Sequence, residues 1–315
     1  MGWLITGGAG YIGSHIVKLL SEEKQEITVI DNLSSGKEDR LPLSVDLVEL
    51  DICDSIGLEN LFEAKNFSHV IHLAARKSVA ESFLKPEVYE KENYEATTTL
   101  IDIAVKNQVK NFIFSSTAAV YGNLESGIAF ENSPTEPISP YGSTKLKAEN
   151  YLSAQIGKGN ISGVSLRYFN VAGAVEPKLA DLKSENLIPR IIELNRAGVK
   201  PQVFGDDYST PDGTCVRDYV HVQDIARAHF MCAKVGKEQQ LPVVMNIGTG
   251  EGSSVLDVIN SISRNLGKIL EFELLPRRTG DPALLIANTE LIANKLDFTT
   301  EFNLDAITKS AIANS

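Results

Sequence analysis

Tyr141 and Lys145 stand four residues apart in Tyr141-Gly142-Ser143-Thr144-Lys145, so a helix would carry both on one face. A cation beside a phenol favours the phenolate. Bringing a tyrosine from about 10 to about 7 takes roughly 4 kcal/mol, of which Lys145 can supply part. Such a pair suits proton transfer to and from a hydroxyl. Ser139-Pro140 just upstream fits a helix start, with proline in the first turn. Tyr-x-x-x-Lys arises on helices by chance, so its meaning depends on its company. Ser115-Ser116-Thr117 closes an apolar run, and hydroxyls at the carboxyl end of a parallel strand lie where ligands bind in open α/β sheets. Thr117 is the one placed to hydrogen-bond a reacting hydroxyl.

A second group is built for a dinucleotide. Gly7-Gly8-Ala9-Gly10-Tyr11-Ile12-Gly13 follows one apolar strand and opens a helical segment. Glycines let the backbone turn tightly and approach a pyrophosphate seated on the helix N-terminus. Asp31 ends the next strand, 18 residues after Gly13. A carboxylate there accepts the ribose hydroxyls of NAD and repels the extra phosphate of NADP. Lys37 and Arg40 follow it and are cations able to hold that phosphate, so NADP stays open at this point. Asp51 ends a third strand, on the adenine side.

These residues need a scaffold, and the hydrophobic pattern supplies one. Strands are expected at Trp3–Thr6, Ile27–Ile30, Leu47–Leu50, His69–Ala75, Asn111–Ser116 and Gly163–Phe169. Ile12–Leu20 between the first two has Ile12, Ile16, Leu19 and Leu20 on one face. This β-α-β rhythm predicts an α/β fold of the Rossmann type, a doubly wound parallel sheet covered by helices on both sides. The second half is less regular: Gly205–Gly213 reads as a loop, Val243–Gly248 as a strand and Val255–Leu266 as an amphipathic helix. No linker separates the halves, so a smaller C-terminal substrate-binding domain must be interleaved with the first.

The 315 residues carry a formal net charge of −11, with 43% hydrophobic and 23% charged residues. Such a surface repels nucleic acid and anionic lipid, so neither is expected as a partner. An anionic small molecule would need a local cationic pocket. Cys53, Cys215 and Cys232 are odd in number and far apart, with no metal-ligand spacing, which points to free thiols in a reducing compartment and to no metal. With no basic leader or long apolar span, a cytoplasmic protein is expected.

Thr6–His15, Asp31-Asn32-Leu33, His72–Pro86, Asn111–Gly122, Tyr141–Lys145, Arg167–Ala174, Val203–Val222 and Pro276–Asp281 together resemble the UDP-galactose 4-epimerases, extended short-chain dehydrogenases that use NAD. The resemblance implies inversion of carbon 4 of a UDP-linked hexose through a transient 4-keto sugar. Tyr141 would act as acid–base, with Thr117 and Lys145 assisting. It assigns the cofactor to Gly7, Gly10, Tyr11, Ile12, Gly13, Asp31, Asn32, Asp51, Ile52, Leu73, Ala74, Ala75, Lys77, Asn93, Ser115, Tyr141, Lys145 and Phe169. It assigns the UDP-sugar to Lys77, Thr117, Tyr141, Asn170, Asn186, Leu187, Phe204, Arg217, Arg278, Asp281 and Leu285. Arg217 and Arg278 make sense as diphosphate clamps, because guanidinium forks bind phosphate oxygens bidentately.

Leu73-Ala74-Ala75 stands where the family often has Phe-Ala-Gly, and Arg76 where it has Leu. Ala118-Ala119 follows Thr117 where related sugar-nucleotide dehydratases place Asp-Glu; alanines cannot transfer the protons of an elimination or assist decarboxylation. Other UDP-sugar 4-epimerases and a non-catalytic NAD-binding regulator are the competing readings; a regulator would be expected to lose Tyr141 or Lys145. The resemblance also implies a homodimer. Its domain division is 1–169 plus about 219–249 for the cofactor and about 170–218 plus 250–315 for the UDP-sugar.

Overall fold

Residues 2–181, 186–235, 240–278 and 281–315 are described by the structure, a computed structural model. The strands are β1 (Gly2–Thr6), β2 (Ile27–Asp31), β3 (Asp46–Glu49), β4 (Phe67–His72), β5 (Asn111–Thr117), β6 (Ile128–Ala129), β7 (Ser162–Tyr168), β8 (Asn170–Ala172), β9 (Gln202–Phe204), β10 (Val216–His221), β11 (Val244–Ile247), β12 (Gly252–Ser254), β13 (Glu273–Leu275) and β14 (Leu284–Ala287). The helices are α1 (Tyr11–Glu22), α2 (Ser55–Ala64), α3 (Val79–Leu84), α4 (Pro86–Tyr89), α5 (Ala96–Lys106), α6 (Pro140–Gly157), α7 (Leu187–Arg196), α8 (Val222–Val235), α9 (Val255–Leu266), α10 (Glu290–Leu296) and α11 (Leu304–Asn314).

Among the described residues the main sheet has seven parallel strands in the order β11-β7-β5-β4-β1-β2-β3. Strand order reverses between β1 and β4, and ligands bind at the carboxyl ends beside such a switch point. Alternation along the strands divides the core. Ile5, Val29, Ile71, Ile113 and Val164 pack with α1 and α8 on one face. Leu4, Ile30, Val70, Phe112 and Phe114 pack with α2, α5 and α6 on the other. Strands buried on both faces read as continuous apolar runs, which is why they were legible.

A second sheet runs β12-β10-β14-β6, with β8 also on β10. In it β10 lies antiparallel to β12 and parallel to β14, with Arg217 opposite Leu285. The buried carboxylate of Asp218 binds the sheets together. It accepts from Thr249 N (2.8 Å) and Oγ1 (2.7 Å), from Gly250 N (3.0 Å) and from Ala287 N (3.2 Å).

The expected β4 strand runs three residues too far. The sheet pairing ends at His72 with Leu73 N on Thr6 O (3.1 Å), after which Ala74 N turns to the side-chain Oγ1 of Thr6 (3.3 Å). That turn carries Leu73-Ala74-Ala75 towards the glycine loop. The helix expected at Ile12–Leu20 spans Tyr11–Glu22, Val255–Leu266 is as expected, and Gly205–Gly213 holds neither helix nor strand.

Candidate active site

α6 starts on Ser139, whose Oγ accepts from Gly142 N (3.1 Å), with Pro140 in the first turn. A Cβ on Gly142 would lie 2.6 Å from Ala119 O, so glycine lets the helix start press against the loop after β5. That approach brings half-buried Tyr141 into hydrogen-bonding contact with Thr117. Thr117 Oγ1 also accepts from Ala119 N (3.1 Å), so its own proton remains available to donate. One turn along α6, Lys145 is 3% exposed. Its Nζ donates to Ser115 O (3.0 Å) and lies 4.7 Å from the centre of the Phe114 ring.

The electrostatics correct one expectation. Burial pushes Tyr141 up to about 12, and only the Thr117 hydrogen bond pulls the other way. Burial also pushes Lys145 down to about 7, opposed by Glu149. Lys145 is turned to the Ser115 carbonyl, and its charge does not bear on Tyr141. A positive charge brought by a ligand would favour the phenolate.

Behind the pair lies a network the sequence reading missed. Glu149, 2% exposed, continues the Tyr141, Lys145 row by one more turn. It accepts from Arg167 Nε (3.0 and 3.1 Å) and NH2 (2.6 Å), and from Ser116 Oγ. The Arg167 guanidinium also covers the Tyr121 ring at 4.8 Å. The i, i+4, i+8 spacing was the available signal.

The cofactor residues gather at the switch point. Gly7 has φ of +70°, and a Cβ there would lie 2.8 Å from Ala74 N. A Cβ on Gly13 would run into Gly7 O, whereas one on Gly10 would meet only Gly7 O at 3.2 Å. No side chain caps α1, so the N–H groups at Tyr11, Ile12 and Gly13 face that open space. This cradle fits a pyrophosphate. Asp31, 8% exposed, accepts from Ala9 N (3.0 Å) and Leu33 N (2.9 Å); burial raises its pKa against those bonds. Two oxygens so held keep lone pairs for ribose hydroxyls. Asn32 Nδ2 donates to Asp51 Oδ2 (2.8 Å), beside buried Ile52.

Arg40 does not serve a phosphate. It is 7% exposed and donates to Lys178 O (3.3 Å) and Ala180 O (2.9 Å). Lys37 is exposed. Asn93 is wholly buried on a π-helical turn at Glu90–Glu95 that no sequence signal announced. It exchanges hydrogen bonds with the Arg76 backbone at 2.8 and 2.9 Å. This clamps the Leu73-Ala74-Ala75 turn, while Arg76 itself pairs with Glu92 (2.7 Å).

The remaining residues fall into three groups. Phe169 and Leu285 share a small core with Ala118, Val120, Tyr121, Ala129 and Ala287. At 9% exposed, Leu285 is both a core residue and the strand partner of Arg217. Arg217 reaches Asp281 at 3.5 Å, and the exposed Arg278 lies flat on Phe204 at 3.8 Å. Lys77, 68% exposed, is 3.8 Å from Asp181, which also accepts from Asn186 Nδ2 (2.9 Å), just before Leu187 opens α7. Asn170 is exposed at the start of β8. Among the described residues no hydrogen bond or ion pair joins Lys77 to the Arg217 group. Among the described residues no group of His, Cys, Asp and Glu could hold a metal ion, and no helix is long and apolar enough to cross a membrane.

Residues 3–248 match the NAD dependent epimerase/dehydratase family. The chain is 38% identical over 303 residues to the UDP-glucose 4-epimerase of Corynebacterium glutamicum, covering 95% of this chain and 90% of that protein. It is similar to the crystal structure of UDP-glucose-4-epimerase from Stenotrophomonas maltophila with bound NAD and formylated UDP-arabinopyranose (TM-score 0.95, 33% identity, covering 100% and 97% of the two chains). It is also similar to the UDP-Glc/GlcNAc 4-epimerase of Campylobacter jejuni (TM-score 0.87, 38% identity, covering 99% and 98%).

Proposed function

The chain belongs to the NAD dependent epimerase/dehydratase family, and we propose that it interconverts UDP-glucose and UDP-galactose by inverting carbon 4. The observation that carries this reading is Tyr141 beside Thr117 at the end of β5, the strand whose Ser115 carbonyl holds Lys145, all next to a glycine cradle. NAD held by the glycine cradle and Asp31 would supply a reversible hydride acceptor and a positive ring that favours the phenolate.

The chain's own residues do the rest. Tyr141 takes the proton from the carbon-4 hydroxyl and returns it to the same oxygen once the centre is inverted, with Thr117 donating to that oxygen. Arg217 and Arg278 anchor the diphosphate while the 4-keto sugar turns over. The cofactor contacts are the glycine cradle, Asp31, Asn32, Asp51, Ile52, Leu73, Ala74, Ala75, Lys77, Asn93, Ser115 and Phe169. The UDP-sugar contacts add Asn170, Asn186, Leu187, Phe204, Asp281 and Leu285.

We divide the chain into a cofactor domain, 1–169 plus about 219–249, and a UDP-sugar domain, about 170–218 plus 250–315. The change of partner along β10, from β14 at Val216 and Arg217 to β8 at Tyr219–His221, supports a boundary near residue 218. Three free cysteines support a reducing, cytoplasmic setting. Exposed Phe83 and Ile138 (59% and 49%) support a homodimer.

Incubation with a panel of UDP-sugars, with the carbon-4 epimers resolved by NMR, tests the reaction. UDP-glucose and UDP-galactose should equilibrate without added cofactor. Conversion of N-acetylhexosamines, pentoses or uronates in their place would redirect the assignment.

A further inference from the structure

Two phenols lie at the end of the sheet. Tyr141 is on α6, and Tyr168 ends β7 opposite Thr117, close enough for the charge of one to bear on the other. Behind them His229 is wholly buried on α8. Its Nδ1 is 2.8 Å from Ile225 O and its Nε2 is 2.9 Å from Ser115 Oγ. A carbonyl oxygen can only accept, so Nδ1 carries the hydrogen. Burial pushes the ring down to about 4, so it is neutral at pH 7 and Nε2 is an acceptor. The Ser115 hydroxyl has one proton, and that proton goes to His229. The Tyr168 side chain interacts with Ser115. Towards it Ser115 Oγ can offer only lone pairs, so a bond between the two hydroxyls has Tyr168 as its donor.

We propose that His229 is a positioning residue that fixes the direction of a buried chain running Tyr168 to Ser115 to His229 to the Ile225 carbonyl. The chain ties down the Tyr168 proton and leaves Tyr141 as the phenol free to exchange its proton with substrate. It rests on Tyr141 being the acid–base. The same Ser115 also receives Lys145 Nζ on its carbonyl, so both polar ends of one residue are held from opposite faces of the sheet.

The test uses the protein as purified, with its bound nucleotide. The chain has five histidines, so imidazole nitrogens labelled with 15N can be resolved by long-range proton–nitrogen correlation and His229 assigned by its loss in His229→Gln. At pH 7 the hydrogen should sit on Nδ1, and Ser115→Ala should move the Nε2 shift towards that of an unbonded ring nitrogen. A hydrogen on Nε2, or a doubly protonated ring, would overturn the proposal. His229→Leu should lower kcat about tenfold, the scale of one buried hydrogen bond, with nucleotide content unchanged. His229→Gln, whose amide oxygen can accept near the Nε2 position, should recover most of that loss; a Gln variant as impaired as Leu, both folded by circular dichroism, would also overturn it. If neither variant folds, the tautomer in wild type and the Ser115→Ala response decide. Full turnover in Tyr141→Phe would instead defeat the catalytic reading, whatever the tautomer.

Discussion

Lys145→Met should make the protein more stable. In the folded chain Lys145 is 3% exposed, and burial takes it from the ordinary 10.5 to about 7. At 1.36 kcal/mol per tenfold, keeping the ammonium charged there costs ~5 kcal/mol. The folded value lies below the unfolded one, so the unfolded chain holds the proton more readily. The penalty is therefore complete below pH 7 and fades as pH climbs from about 7 to 10.5. Methionine removes the charge at similar volume but leaves Ser115 O without its 3.0 Å donor, a loss of about 1–3 kcal/mol. Glu149 keeps Arg167, so no second charge is orphaned. The net expectation is a gain of ~2–4 kcal/mol near pH 6.5. Urea unfolding of cofactor-stripped protein at several pH values measures it; bound nucleotide would stabilise both forms by mass action and mask the difference. The gap should close by about pH 9.5. A variant less stable than wild type at pH 6.5, or a gap that does not change with pH, would refute the reasoning.

Tyr141→Phe keeps the ring but loses the phenol and should cost at least about a hundredfold in turnover with UDP binding retained; Thr117→Ala should cost less, and near-normal rates in steady-state assays of the Phe variant would defeat the mechanism. Denaturing the purified protein should release NAD rather than NADP, because Asp31 faces the ribose position and Arg40 is committed to the 178–180 backbone; mainly NADP would remove Asp31 from that role. Leu285→Ser should raise N-acetylhexosamine turnover relative to hexose turnover by about tenfold, at a stability cost of about 2–4 kcal/mol because Leu285 is a core residue. An unchanged substrate ratio would show that Leu285 does not fill the space an acetamido group would need.

The parallel sheet was legible because strands buried on both faces write themselves as Val, Ile and Phe runs, and the glycine loop because each glycine answers a local steric demand. Tyr141 and Lys145 on one helix row, and Thr117 at a strand end, were legible from helix spacing and strand-end position. Three things were not legible. Arg40 read as a candidate phosphate ligand, yet its partners are carbonyls about 140 residues away, which no local pattern encodes. Asn93 sits on a π-turn set by tertiary packing rather than by propensity. Lys145 read as the group that acidifies Tyr141, but proximity along a helix does not reveal desolvation, and burial outweighs it at both residues.

Asp218 has a bearing on how such a site can change. It holds β14 through the main-chain N–H of Ala287, not through any side chain on that strand. A backbone anchor is blind to sequence, so the residue at 285 can be exchanged without releasing the strand from its neighbours. Arg217, opposite it, stays on β10, which carries Asp218 itself. On the proposed function, the diphosphate grip and the wall beside the sugar would then have separate anchors: one could be retooled by single substitutions while the other keeps its aim.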